Sequence, residues 1–200
     1  MIAYAIEAAL QSSSIDRVLV NTESDKIAGV ARDFGADVYD RSPDLATSTA
    51  TGDDFTFDII SSLGVDTLVM VNPVCPLIEH TDIDAVIDRF NSDPIVDTVI
   101  TCSETRMQAV FRGEFLNIDP ELPLQPSQLN EPLQVLNWAV TVWNAGVFLE
   151  NYKRDGSGYC GTSRLLHVIE DSKAVKVSYE QDFALAEQLV IARNSLRNPK

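Results

Sequence analysis

The chain has 200 residues, of which 45% are hydrophobic and 22% charged, which is enough for one ordinary globular domain with a substantial core. Its formal net charge of −15, without a local basic stripe, excludes nucleic acid binding through a positive surface. No apolar run approaches the roughly 20 residues of a membrane span, and no signal peptide is recognisable, so we expect a cytoplasmic protein without a membrane partner.

Helices and strands alternate along the first half of the chain. Ile2–Leu10 has apolar residues at helical spacing and precedes a short β-branched strand at Arg17–Asn21. Ser24 is a suitable N-cap for a helix over Asp25–Phe34, which Gly35 would end. The next predicted elements are a strand at Ala36–Tyr39, a helix at Asp53–Leu63, a strand at Thr67–Val71, a helix at Thr81–Asn91 and a strand at Thr98–Cys102. This pattern predicts a Rossmann-like α/β domain with a mostly parallel sheet between helices, and ligands at the carboxyl ends of its strands.

The second half is less regular. Residues 106–143 carry four prolines and are interpreted as an excursion inserted into a single domain that spans residues 1–200. The remaining predicted elements are strands at Trp138–Trp143, Gly146–Leu149 and Val175–Ser178 and a final helix at Glu180–Arg193. The tryptophans at the two ends of the first of these strands are candidates for stacking on a base, but their alternation with valines favours strand packing or a dimer face.

Five short motifs occur in a fixed order along almost the whole chain. They are Ile2–Ala9, Val18–Asp25, Arg41–Ala46, Val71–Leu77 and Gln181–Glu187. Together they resemble the acylneuraminate cytidylyltransferase family, which makes CMP-activated acidic sugars such as CMP-sialic acid. The resemblance implies a nucleotidyltransferase domain that transfers CMP from CTP to sialic acid or a related nonulosonate and releases pyrophosphate. It also implies Mg²⁺ as cofactor and a homodimer formed through residues 106–143.

The resemblance assigns nucleotide-binding residues to the first part of the chain. Arg41 matches an arginine that holds the cytosine and ribose, although Ser42 interrupts the usual Arg-Pro step. Ala50 and Thr51 fall in the stretch that lines the base, where Gly52 replaces a hydroxyl residue. One contact with the base is therefore expected to be missing.

The resemblance implies further residues in the pocket for the sugar and the nucleotide. Asn72 and Pro73 open the run Asn-Pro-Val-Cys-Pro-Leu, which stands for Gln-Pro-Thr-Ser-Pro-Leu in the family. Gln128 and Asn137 correspond to the Gln and Asn of a Gln-Asp-Leu-Pro…Asn-Gly-Ala element. Cys75 in the pocket run is interpreted as a small buried side chain rather than a nucleophile.

Two departures from the family concern the phosphates. The first strand and the basic phosphate loop that precede the first helix in the family have no counterpart in the sequence, so a strand near Arg17–Val20 or Thr67–Val71 is expected to lack a neighbour. Lys176 and Ser178 occupy the two positions that supply Mg²⁺ carboxylates, and an ammonium repels a cation. Metal ligands are therefore not found, and Lys176 is a candidate fixed charge beside the phosphates, or simply an exposed lysine.

Two functions follow from these observations, and no catalytic residue is assigned. The first is a cytidylyltransferase, expected to be slower than its relatives because of the phosphate-side departures. The alternative is a non-catalytic or altered homologue that keeps the fold as a nucleotide- or sugar-binding protein or as a dimeric interaction module.

Overall fold

The regular elements of the first half lie close to their predicted positions. The computed structural model describes residues 1–197. Its helices are α1 (Ile2–Gln11), α2 (Asp25–Asp33), α3 (Gly52–Leu63), α4 (His80–Asn91), α5 (Ala145–Asp155) and α6 (Glu180–Arg197). Its strands are β1 (Leu19–Thr22), β2 (Asp37–Asp40), β3 (Thr67–Val71), β4 (Thr98–Thr105), β5 (Val110–Phe111), β6 (Glu114–Phe115), β7 (Leu133–Asn144) and β8 (Arg164–Val168).

Four strands form the central sheet in the order β3-β7-β4-β8. Strand β7 runs antiparallel to both of its neighbours, whereas β4 and β8 are parallel, as are β1 and β2 in a separate pair. The predicted α/β class, with a sheet between helices, is confirmed. The sheet is mixed because the chain returns through β7 between two strands that share one direction.

Strands β1 and β3 each have one edge without a strand partner in the described part of the chain. Leu19 of β1 nevertheless packs in the same apolar cluster as Leu68 and Met70 of β3. The two sheets therefore contribute side chains to one apolar cluster without sharing a strand ladder. This agrees with the expectation that one of these strands lacks a neighbour.

The core divides between the two faces of the central sheet. Val140 and Val142 of β7 face the cluster that includes α1 and α4 residues. Trp143 faces the other cluster, together with Phe148 of α5 and Ile60 of α3. Alternate residues of one strand thus hold helices on both faces, as in a strand buried on both sides.

Two predicted strands of the second half were wrong, and one strand was missed. Gly146–Leu149 begins helix α5 instead of forming a strand, because the Asn144 side chain accepts a hydrogen bond from Val147 N at 3.1 Å and caps the helix. Val175–Ser178 has no regular secondary structure and joins no strand ladder. Strand β8 was not predicted, although it pairs along its length with β4.

The segment between β4 and β7 contains the small β5–β6 hairpin and a 3₁₀ turn at Ser127–Leu129. Its apolar side chains are unusually exposed; the most exposed are Met107, Val110, Phe111, Leu122, Leu124 and Leu129.

Over residues 1–197, no helix combines the length and the apolar character that crossing a membrane requires.

Candidate functional site

Two of the segments assigned to the site meet where β3 ends. The backbone N–H of Asn72 donates to the carbonyl of Ala139 at 2.8 Å. The Asn72 side chain accepts a hydrogen bond from Val74 N at 3.3 Å, which shapes the turn and leaves Pro73 exposed. Asn137 lies two residues before Ala139, so the structure brings both predicted asparagines to the same end of the sheet.

The amide of Asn137 is used inside the sheet. Its oxygen accepts hydrogen bonds from the Thr101 hydroxyl at 2.7 Å and from Ala139 N at 3.1 Å, and its nitrogen donates to Ser103 Oγ at 3.2 Å. The side chain is buried, and the register between β4 and β7 shifts at this point. Asn137 therefore holds a β-bulge that shapes the end of the sheet.

The bulge places Trp138 in a left-handed backbone conformation, with a φ of 57°. Trp138 stands where the resembled Asn-Gly-Ala element has glycine, the residue that adopts such a φ most easily. Its half-buried indole lies 5.1 Å from the Tyr159 ring, measured between centroids. Tyr159 in turn lies 4.9 Å from the ring of Trp143, which is 1% exposed. Strand packing is confirmed for Trp143, whereas Trp138 reaches the edge of the site.

The N-terminus of α3 carries the residues predicted to line the base. Thr51 is the N-cap, and its hydroxyl donates to Asp54 Oδ2 at 2.7 Å and accepts from Asp54 N at 3.2 Å. The other oxygen of Asp54 accepts from the Tyr152 hydroxyl, which is the main reason for the lowered pKa of Asp54. The Thr51 hydroxyl thus caps the N-terminus of α3. The preceding residue, Ala50, is half-buried.

Tyr159 connects this helix end to the bulge. Its backbone N–H donates to Asp53 Oδ1 at 2.8 Å, and its carbonyl accepts from Trp143 Nε1 at 2.7 Å. A β-carbon on Gly52 would lie only 2.9 Å from Tyr159 Cε2, so the missing side chain makes room for this ring. Burial raises the pKa of Tyr159 to about 12, which keeps its hydroxyl protonated. Sequence reasoning missed Asp53 and Tyr159, because their contact joins residues far apart in the chain.

Arg41 lies at the carboxyl end of the β1–β2 pair. Its backbone N–H donates to the carbonyl of Thr22 at 3.2 Å, which extends the pairing beyond β2. Its guanidinium forms an ion pair with Glu23, and Nε lies 3.0 Å from Glu23 Oε2. The hydrogen bond from Arg41 lowers the pKa of Glu23. The predicted nucleotide residue is thus oriented by an acidic partner.

Gln128 belongs to a separate cavity of about 470 Å³ that it lines with Arg106, Met107 and Ser127. The Arg106 guanidinium donates to the carbonyl of Asn130 at 2.5 Å, which fixes one wall. No hydrogen bond within residues 1–197 joins Gln128 to the asparagines at the end of β3.

Lys176 lies beside the loop that follows β3. The next residue, Val177, donates its backbone N–H to the carbonyl of Val74 at 2.8 Å. Burial raises the pKa of the Cys75 thiol to about 11, against a smaller opposing effect of the Lys176 charge. Cys75 is therefore a protonated, buried thiol, in agreement with its interpretation as a packing residue.

The residues at the positions that the resemblance gives to Mg²⁺ do not fit a hard cation. Ser178 N and Tyr179 N both donate to Asp182 Oδ2 at 2.9 Å, so this carboxylate caps α6. Lys176 contributes an ammonium, which no divalent cation accepts as a ligand. Across the described residues, no group of three or more His, Cys, Asp or Glu is arranged to hold a metal ion.

Comparison with known proteins gives one family and several relatives. A family model described as cytidylyltransferase matches residues 1–116. The CMP-N,N′-diacetyllegionaminic acid synthase of Legionella pneumophila is 26% identical over 200 residues, covering 95% of this chain and 84% of that protein. The N-acylneuraminate cytidylyltransferase of Escherichia coli is 33% identical over 84 residues, which are 42% of this chain and 20% of that protein.

Solved structures share the fold at low identity. A CMP:2-keto-3-deoxy-manno-octonic acid synthetase complexed with CTP superposes with a TM-score of 0.63 at 14% identity, covering 97% of this chain and 88% of that one. A 4-diphosphocytidyl-2C-methyl-D-erythritol synthase from Anaerococcus prevotii gives a TM-score of 0.62 at 11% identity, covering 98% and 86%. At such identities the likeness concerns the fold alone.

Proposed function

Because this chain belongs to the cytidylyltransferase family of CMP-sugar synthesis, we propose that it transfers CMP from CTP to an acidic sugar of the nonulosonate class. In this reaction a sugar hydroxyl oxygen bonds to the α-phosphorus of CTP. The bond from that phosphorus to the oxygen shared with the β-phosphate breaks, pyrophosphate leaves with the electron pair, and the hydroxyl proton passes to water. The relatives whose names specify legionaminic and neuraminic acids support this choice of sugar class.

One observation supports the proposal most directly, namely the meeting of separate predicted segments at the carboxyl end of β3. Asn72 and the Asn137 bulge are joined by a backbone hydrogen bond to Ala139. The bulge reaches the N-terminus of α3 through Tyr159. Ligands of open α/β sheets bind at this edge.

Within this proposal each element has one task. Arg41, oriented by Glu23, and the Ala50–Thr51 stretch hold the nucleoside. Asn72 and Pro73 border the sugar, and Asn137 positions that border through the bulge. Gln128, which lines the separate cavity of the excursion, has no direct role in this proposal. The protein contributes binding and orientation, which is the main task of an enzyme in phosphoryl transfer.

A second candidate function is binding of the nucleotide and sugar without efficient turnover. It is favoured by Lys176 and Ser178 at positions where the family has carboxylates. A fixed ammonium beside the loop after β3 attracts phosphate in the ground state and in the transition state alike. Such uniform binding lowers the dissociation constant without accelerating the chemical step.

Calorimetric titration with CMP and CTP tests the proposal, followed by a pyrophosphate-release assay with MgCTP. The acceptors are N-acetylneuraminate, N,N′-diacetyllegionaminate and 3-deoxy-manno-octulosonate. We expect both nucleotides to bind, and turnover with a nonulosonate to be slower than that of the Legionella relative. Binding without any pyrophosphate release selects the second candidate, and failure to bind either nucleotide contradicts both.

Two arginine variants sharpen this test. Arg41→Ala is expected to weaken CMP binding about tenfold, because a charge-assisted hydrogen bond contributes about 1.5 kcal/mol. Arg17 forms an exposed ion pair with Asp37 on the neighbouring strand, so Arg17→Ala is the matched control and should leave CMP binding unchanged. Equal effects of the two substitutions would remove Arg41 from the proposed site.

We also propose that two copies of the chain associate through the excursion. Its exposed apolar side chains, among them Phe111, Leu122 and Leu124, exceed what isolated surface residues account for. A second copy that covers them in a symmetric contact explains this exposure. Light scattering should give twice the mass of one chain, and the double variant Leu122→Asp/Leu124→Asp should shift it to the monomer. A monomeric wild-type protein would contradict the proposal.

The cytoplasm is the proposed location of this reaction. Cys75, Cys102 and Cys160 are all free thiols, and the first two are buried. Unpaired cysteines are typical of a reducing compartment.

A further inference from the structure

Trp138 has an unusual backbone for its residue type. Among residues 1–197, Trp138 and Arg112 are the two non-glycine residues with positive φ. Arg112 lies in the turn of the β5–β6 hairpin, next to Gly113, where such a φ is common. Trp138 lies within a strand of the central sheet, where the left-handed conformation is unfavourable for a bulky side chain.

The surrounding residues over-determine this conformation. The Thr101 hydroxyl lies 2.7 Å from the Asn137 amide oxygen and also accepts a hydrogen bond from Val140 N at 3.0 Å. Ala139 and Val140 are both fully buried in the cluster on the α4 face. The bulge between these anchors turns Trp138 to the opposite face, against Tyr159.

The position of the indole sets it apart from an ordinary core residue. Trp143, on the same face, is 1% exposed, whereas Trp138 is only half-buried. Tyr159 covers the side of the indole toward Gly52 and the N-terminus of α3. The residues before and after Trp138 in the chain are Asn137 and Ala139. The Ala139 carbonyl accepts the hydrogen bond from Asn72 N, at the start of the loop after β3. Trp138 therefore lies one residue from the backbone contact that holds Asn72, next to the part of the site assigned to the sugar.

We propose that Trp138 contacts the sugar substrate, and that the open face of its indole stacks on the C–H face of the sugar ring. This inference rests on the proposed function. A strained backbone that its neighbours maintain is typical of residues that serve a ligand. An indole offers a broad apolar face for a ring whose carboxylate and hydroxyls are held elsewhere.

The test compares Trp138→Gly and Trp138→Phe with the wild-type chain. Glycine accepts the left-handed conformation, so the strain that Trp138→Gly relieves offsets part of the lost contact with Tyr159, and the variant should still fold. We expect it to bind the sugar about tenfold more weakly, with CMP affinity unchanged within about twofold. Trp138→Phe keeps an aromatic face and should lie between the two in sugar affinity.

Binding is measured by calorimetry with CMP, and then with N-acetylneuraminate, N,N′-diacetyllegionaminate and 3-deoxy-manno-octulosonate added to the CMP-loaded protein. A wild-type chain that does not bind CMP contradicts the proposed function itself. A chain that binds CMP but none of the three sugars overturns the role of Trp138. Unchanged sugar affinity in Trp138→Gly also overturns this role. A lower unfolding temperature with equal losses of CMP and sugar affinity overturns it as well, because that is the result expected for a residue that only packs.

Discussion

Replacing Gly161 by alanine is expected to lower the free energy of unfolding by about 3 kcal/mol. Gly161 has a φ of 63°, and a β-carbon there would overlap with the side chains of Asp97 and Thr98. The strained φ and the steric overlap act together, since neither can be relieved without moving buried atoms. Urea unfolding followed by circular dichroism measures the loss.

The groups that this β-carbon would displace hold β8 against β4. The carboxylate of Asp97 is buried and accepts hydrogen bonds from Thr162 N at 3.0 Å and from Ser163 N at 2.8 Å. It also accepts from the Thr98 hydroxyl at 2.9 Å. Moving this carboxylate leaves buried donors without a partner, which is why the substitution cannot be absorbed by a small shift.

Gly64→Ala is the matched control. Gly64 also has a φ of 63°, but a β-carbon there meets no atom within 4 Å. Its cost is expected to be the backbone strain alone, about 1 kcal/mol. Equal losses for the two variants would show that the Asp97 contacts contribute nothing beyond the strain.

The sequence predicted those parts of the fold that depend on local signals. Helix α2 begins after Ser24, whose hydroxyl accepts from Ile27 N, and α3 ends at Leu63 as predicted, followed by Gly64 in a left-handed conformation. Each of these signals acts within one helical turn, so it can be recognised without tertiary information. Strand β8 has no such signal, because Asp97 and the ladder with β4 stabilise it from far along the chain.

The candidate site also has a part that the sequence predicted and a part that it could not predict. The motifs predicted that Asn72 and Asn137 belong to one site, and the return of β7 beside β3 brings them together. The sequence could not predict that the Asn137 amide holds a bulge, nor that the bulge turns Trp138 toward Tyr159. These features depend on a register shift between strands. A glycine at position 138 would have indicated an unusual backbone there, but the tryptophan that this chain has instead gives no such signal.

Gly52→Ser introduces a hydroxyl where the resembled family has one, and it is expected to destabilise the chain by about 2 kcal/mol. The reason is the Tyr159 ring, whose Cε2 lies 2.9 Å from the position of the added β-carbon. The ring cannot swing away easily, because Trp138 and Trp143 pack against it and its hydroxyl lies 3.3 Å from Met70 Sδ. Thermal and urea unfolding measure the effect.

A double-mutant cycle with Tyr159→Ala identifies the cause. Without the ring, the same serine should cost at least about 1 kcal/mol less, a coupling energy within the range for residues in contact. Gly29→Ser is the control, since a β-carbon on this helical glycine meets nothing within 4 Å and should leave stability unchanged or slightly higher. If the two substitutions are additive, Gly52 is not retained for the ring. If they couple as expected, the Tyr159 ring occupies the space beside the predicted base-lining stretch and is the reason that position 52 has no side chain.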